Sequence, residues 1–127
     1  MIPFGKQRAR VVSRAGRSVA FTPPSTKSAE EMIGWAAKPY FAEPLIGPVT
    51  LEIRAYFPLP VGKSKDWKAF ALAGSLRPHK KPDWDNVGKL VSDALNGIAY
   101  FDDCQVVDAR VRKYYAEVPR LEIEVSG

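Results

Sequence analysis

Apolar and polar residues alternate along Val49 to Phe57, with Leu51, Ile53, Ala55 and Phe57 on one side and Arg54 on the other. Period two with β-branched and aromatic content predicts a strand half-buried against a core. The same alternation recurs in Leu121-Glu122-Ile123-Glu124-Val125, where the two glutamates are expected to face solvent. From Val106 to Tyr115 a third run sets Asp108, Arg110, Arg112 and Tyr114 against Val107, Ala109 and Val111. Pro119 separates these last two runs, which are expected to pair as a terminal antiparallel hairpin. Elsewhere the period changes to that of a helix. Val87, Leu90, Val91, Ala94 and Ile98 share one face. That helix starts after Pro82 with Asp85 as its N-cap and stops at Asn96-Gly97. A second helix is predicted over Lys27 to Tyr40, capped by Ser25 or Thr26, with Met32, Ile33, Trp35, Ala36 and Tyr40 toward the core. Ser64 caps a short third over Lys65 to Leu72, ended by Gly74. Near the start, Ile2-Pro3-Phe4 reads as a brief strand. Val11-Val12 and Val19-Ala20-Phe21 flank Arg14-Ala15-Gly16-Arg17 as a hairpin with a glycine-bearing turn. The sum is an α+β fold in which two to three helices pack on a small mixed sheet. All 127 residues are read as one domain.

Charge and cysteine content narrow the setting. The net charge is +5 at pH 7, which favours an acidic partner. Its distribution says more, because residues 1 to 28 carry Lys6, Arg8, Arg10, Arg14, Arg17 and Lys27 and no acid. A basic ribbon of this kind could lie along a phosphate backbone, or could simply be a solvated edge. Cys104 is the single cysteine, so an internal disulfide is excluded and a reducing, cytoplasmic setting is expected. It is read as a small buried residue. His79 is the only histidine, which argues against zinc sites and histidine–metal nucleases. No run approaches the roughly 20 apolar residues of a membrane span, and no signal peptide is read at the start.

Between Lys80 and Val107 lie five of the seven aspartates, four of them as the pairs Asp83/Asp85 and Asp102/Asp103. The first pair sits two apart on extended chain before the helix, and Lys89 follows Asp85 by one turn on the face opposite the apolar stripe. If Val106-Val107 begins a strand beside that helix, the second pair can close on the first. Clustered carboxylates repel unless a cation neutralises them, and oxygen donors suit a hard divalent ion, Mg²⁺ or Mn²⁺. The plainer alternative makes Asp85 only a cap and Asp102-Asp103 only a polar turn. An EF-hand is rejected: Asp83 and Asp85 occupy the right positions, but Val87 and Ala94 stand where oxygen ligands are required. Arg77, Lys80 and Lys81 abut the first pair, where a scissile phosphate would have to be held. A metal-dependent nuclease and a non-catalytic DNA-binding module both fit these residues.

K-P-D-W-D-N-V-G-K-L-V-S-D-A-L-N-G-I-A-Y-F-D-D-C-Q-V resembles the signature of the RusA family of Holliday-junction resolvases, the crossover junction endodeoxyribonucleases. The likeness is strong over about a fifth of the chain, and G-K-Q-R-A-R and F-T-P-P-S-T-K resemble the family more loosely. The resemblance implies a homodimeric, Mg²⁺-dependent nuclease, with Mn²⁺ as a possible substitute and no small-molecule cofactor. Such an enzyme cuts four-way DNA by paired nicks. It further implies that Asp83, Asp85 and Asp103 bind metal, that Lys89 is catalytic, and that Asp102 is a supporting or alternative ligand. A less selective flap or branched-DNA nuclease is the remaining alternative within that class.

Overall fold

Two strands whose inward positions are uninterrupted apolar residues take the centre of the sheet. In the computed structural model, which describes residues 8–14 and 26–127, these are β2 (Val49–Pro58) and β4 (Arg120–Ser126). Leu51, Ile53, Ala55 and Phe57 of β2 and Leu121, Ile123 and Val125 of β4 are all buried. Among the described residues the outer places fall to β1 (Arg8–Arg14) and β3 (Val106–Ala116), giving the order β1-β4-β2-β3. β4 runs antiparallel to both β1 and β2, whereas β3 runs parallel to β2, so the sheet is mixed as expected.

The expected β3–β4 hairpin does not form. β2 lies between the two strands, with Pro58 beside Ala116 and Tyr56 beside Arg120. Residues 117–119 therefore cross the end of β2, a gap of about 10 Å at ordinary strand spacing, well within three residues' reach. The physical reason is hydrophobic. β3 has Val107 and Ala109 exposed and carries four charged residues, so it gains least from a central position.

One face of the sheet is covered by helices α1 (Thr26–Ala37) and α3 (Trp84–Ala94). Val87, Val91 and Ala94 of α3 and Ala29, Ile33 and Ala37 of α1 enter the core. Gly34 lets the helices approach, since a Cβ there would meet Ile98 Cδ1 at 3.3 Å. Trp35, expected on the core side of α1, is 72% exposed, and Met32 is also exposed. The side of α1 that packs is built from small residues, which leaves the indole outside with Lys38 over its ring. Helix α2 (Lys65–Leu72) is capped as predicted, Ser64 Oγ accepting from the Trp67 amide at 3.1 Å.

The opposite face of the sheet carries an ionic lattice. Arg54 reaches Glu52 at 3.1 Å, Glu122 at 3.3 Å and Glu124 at 3.5 Å, and Arg120 holds Glu122 at 2.8 Å. Glu122 is buried, contrary to the expectation that it faces solvent, because Arg54 from the neighbouring β2 and Arg120 two residues before it on β4 cover it. Burial opposes the Arg54 charge, but Glu122, Glu124 and Glu52 outweigh it and raise the pKa of the guanidinium. Of the predicted N-terminal hairpin, β1 is present and pairs with β4. The opening strand, the glycine turn and the return strand at Val19–Phe21 lie outside the described residues.

Candidate active site

The carboxylates at the head of α3 are placed by a loop that strand β3 ties down. Arg77 donates from Nε to the Lys113 carbonyl at 2.5 Å and lays its guanidinium over Tyr114, 4.0 Å from the ring centre. Lys113 in turn donates from Nζ to the Lys80 carbonyl at 2.6 Å. From that anchored loop the chain enters α3 two residues earlier than expected. Asp83, not Asp85, is the N-cap, extended at φ −69 and ψ 156, and its side chain makes no capping hydrogen bond. The plain explanation of an aspartate here is a cap. That explanation fails for Asp83, whose carboxylate does no capping, and for Asp85, which lies inside the first turn. Both carboxylates are exposed. Gly88 lies within the helix, which agrees with the rejection of an EF-hand loop.

The second aspartate pair sits on a 3-10 turn (Asp103–Gln105) that leads into β3. Gln105 fixes this turn with its whole amide. Oε1 accepts from the Phe101 amide at 2.8 Å and the Asp102 amide at 3.1 Å, and Nε2 donates to the Leu45 and Gly47 carbonyls, each at 2.9 Å. Behind the turn, fully buried Tyr100 donates to the Ser92 carbonyl at 2.8 Å. Burial first, then the carboxylates of Asp103, Asp93 and Asp102, push the Tyr100 phenol upward, so it stays a neutral donor. Cys104, expected to be buried, is exposed. Its thiol bonds the Asp102 carboxylate, which lowers the Asp102 pKa and raises that of the thiol.

Removing the Gln105 amide should loosen this turn. Gln105→Ala is expected to lower unfolding stability by about 2 kcal/mol, since four partly exposed bonds are lost at roughly 0.5–1.5 kcal/mol each. Gln105→Glu should cost at least as much, because it sets an oxygen against two carbonyls. Urea midpoints measure this. An unchanged midpoint for both variants would show that the clamp carries no stability.

Two adjoining concavities meet at Trp84 and Asp85. One, of about 310 Å³, lies between α3 and β3; Asp85, Lys89 and Ser92 form its helical rim, Asp103 stands at its end, and Leu51, Ile53 and Val111 form an apolar floor. The other, of about 450 Å³, places Asp83 and Asp85 beside His79, Lys80, Lys81 and Lys113. Asp85 is thus common to both, Asp103 shares a cavity with Lys89, and Asp83 shares the other with the basic loop. Asp102 lines neither. Among the described residues no three His, Cys, Asp or Glu side chains are gathered tightly enough to hold a metal ion.

The cations expected to meet DNA divide in two. Lys80 and Lys81 line the larger cavity, and Arg77 braces its loop. Arg8, Arg10 and Arg14 belong to β1, at the sheet edge opposite β3, so three strand spacings, about 14 Å, separate them from the Asp103 edge. Lys6 and Arg17 lie outside the described residues. Lys113 escaped the sequence reading, although its signal was present. Alternation puts it on the same side of β3 as Val111, an unusual place for a lysine.

The family model described as Endodeoxyribonuclease RusA matches residues 1–126. The chain is also 40% identical over 126 residues to the uncharacterized protein YqaN of Bacillus subtilis (strain 168), covering 97% of this chain and 89% of that protein. Among the described residues no helix is long and apolar enough to cross a membrane.

Proposed function

The chain belongs to the RusA endodeoxyribonuclease family, and from that premise we propose that it is a Mg²⁺-dependent, homodimeric resolvase that cuts four-way DNA junctions by paired nicks. One observation carries the reading. Asp85 stands where a cavity holding Asp103 and Lys89 meets a cavity holding Asp83 and a wall of lysines. The first provides carboxylates and a cation for phosphodiester chemistry, and the second provides positive charge for the flanking backbone.

The donors are carboxylate oxygens throughout, the chemistry that a hard divalent ion takes, and Asp83 is free of capping duty, although the three side chains are not drawn together in this structure. Asp83, Asp85 and Asp103 would hold it, while Asp102 supports the turn. When bound, the ion supplies Lewis-acid polarisation of the scissile phosphate and a lowered pKa for an attacking water. The remaining work falls to this chain's own side chains. Lys89 faces the phosphoryl oxygens from one turn below Asp85 and offsets the charge that builds there. Lys80, Lys81 and Lys113 hold the neighbouring phosphates, while the apolar floor under Asp103 limits water at the reacting group.

Junction selectivity requires two sites at a fixed separation, hence two subunits related by symmetry. The purified protein is expected to sediment as a dimer. With Mg²⁺ or Mn²⁺ it should introduce two symmetric nicks in a synthetic four-way junction, faster than in flap or linear duplex DNA at the same salt. Binding without metal-dependent nicking would replace this reading by that of a DNA-binding module. Equal cutting of flaps and junctions would reduce it to a general branched-DNA nuclease.

A further inference from the structure

Trp84 has a placement that the proposed chemistry does not use. It is the first residue of α3, between Asp83 and Asp85, it is 67% exposed, and its side chain lines both cavities. A large aromatic left in water beside functional carboxylates gives up burial that Val87 and Val91 of the same helix obtain. The cavity on its Asp83 side is about 450 Å³, within the size range of small-ligand pockets, and large enough for one nucleotide. Opposite Asp83 and Asp85 its wall is rich in lysine. Lys113 is held in place by its bond to the Lys80 carbonyl, its ammonium 5.0 Å from the centre of the Phe57 ring, and Lys80, Lys81 and His79 complete that side. Positive charge for a phosphate and an open indole for a base are the two elements of a single-stranded nucleotide site.

We infer that this cavity receives one unpaired nucleotide next to the cleaved bond, its base stacked on Trp84 and its phosphate on the lysine wall. The inference rests on the nuclease reading above and adds a basis for substrate choice. Within a duplex both faces of a base are covered by its neighbours, so the indole has nothing to stack on. At a branch point a base face is open. Trp84 is therefore a specificity-determining residue, favouring DNA that offers an unstacked base beside the carboxylates.

The test crosses a protein change with a DNA change. Trp84→Ala is expected to slow junction nicking about ten-fold or more, the order carried by one base–aromatic stack, and Trp84→Phe to restore most of it. An abasic nucleotide beside the cut should slow the wild-type protein by a similar factor and the Trp84→Ala variant no further. Without metal, 2-aminopurine at that position should change fluorescence on binding wild-type protein and not on binding Trp84→Ala. Both variants should keep the wild-type circular dichroism and sedimentation, since the side chain is exposed. Wild-type rates in Trp84→Ala, full additivity with the abasic lesion, or a change in oligomeric state would each overturn the inference. If the wild-type protein cuts no junction, the nuclease reading fails and the inference with it. If it cuts, and Asp85→Asn does not, yet Trp84→Ala does, only the nucleotide site is lost.

Discussion

Asp85→Asn is expected to abolish nicking, by at least about three orders of magnitude, while leaving junction binding unchanged or tighter. Asparagine keeps the size of the side chain and one acceptor oxygen but removes the charge that a divalent ion requires. Loss of a metal-binding carboxylate removes several kcal/mol of transition-state stabilisation, and each 1.36 kcal/mol is a factor of ten in rate. The fold should tolerate the change. Asp85 is exposed in the first turn of α3, and its favourable interaction with the helix N-terminus is worth roughly 0.3–1 kcal/mol. Binding should not fall, because one negative charge facing the phosphates has gone. Asp83→Asn and Asp103→Asn belong to the same class. Asp102→Asn should cost less than about ten-fold, since its carboxylate lines neither cavity and accepts from the Cys104 thiol. Gel-shift and nicking assays on one junction, with a urea midpoint for each variant, separate these effects. Parallel loss of binding and cutting in Asp85→Asn would remove Asp85 from the chemistry, and a defect in Asp102→Asn as deep as in Asp103→Asn would reassign the third carboxylate.

What could be read in advance follows from how local each signal was. β2 and α3 declared themselves through periodicity: Leu51, Ile53, Ala55 and Phe57 are buried, as are Val87, Val91 and Ala94, while Leu90 is half-buried and Ile98 lies half-buried beyond the helix end. Pairing order did not, because it depends on competition among strands for the sheet centre. Charged residues on β3 decide that competition, and so β3 joins β2 and not its sequence neighbour β4. Burial of single residues followed the same division. Glu122 is covered by Arg54 from a strand 68 residues away, a relation that alternation within β4 cannot express. Trp35 and Cys104 went wrong in the opposite sense, an apolar or small side chain being assigned to the interior where the packing surface was already complete.

The site was legible as residue types and only partly as geometry. Asp83, Asp85 and Lys89 are close in sequence, so their nearness could be read directly, although the helix starts two residues earlier and takes Asp85 into its first turn. Asp103 reaches the Asp85 cavity only because β3 packs beside α3 and because Gln105 binds the turn to residues 45 and 47, sixty positions earlier. That amide stands in the D-D-C-Q-V motif, yet its four bonds are tertiary and invisible in the motif. The basic residues separate by the same logic. Lys80 and Lys81 adjoin Asp83 in sequence and share its cavity, whereas β1 adjoins nothing at the site and ends at the opposite edge. On the proposed reading, phosphate contacts at the reacting centre would therefore come from the loop and Lys113.

Lys89→Ala decides between chemistry and surface decoration. On an isolated helix Lys89 would pair with Asp85 one turn before it and Asp93 one turn after, at about 0.3–0.5 kcal/mol each. Among the described residues no ion pair of Lys89 within 4.0 Å is formed, and the side chain instead borders the cavity shared by Asp85 and Asp103. If the ammonium offsets charge on the phosphoryl oxygens, its removal should slow nicking roughly 10²- to 10³-fold, the range for loss of one well-placed donor in a transition state. Stability should change by less than about 1 kcal/mol, because the residue is exposed. Lys89→Arg then separates charge from geometry. A guanidinium keeps the charge but is planar and longer, so a partial return of activity is expected, with the salt dependence of binding unchanged. Single-turnover nicking with saturating protein isolates this step from binding. A loss of two-fold or less in Lys89→Ala would make the lysine a surface residue and leave the developing charge to Lys80, Lys81 and Lys113.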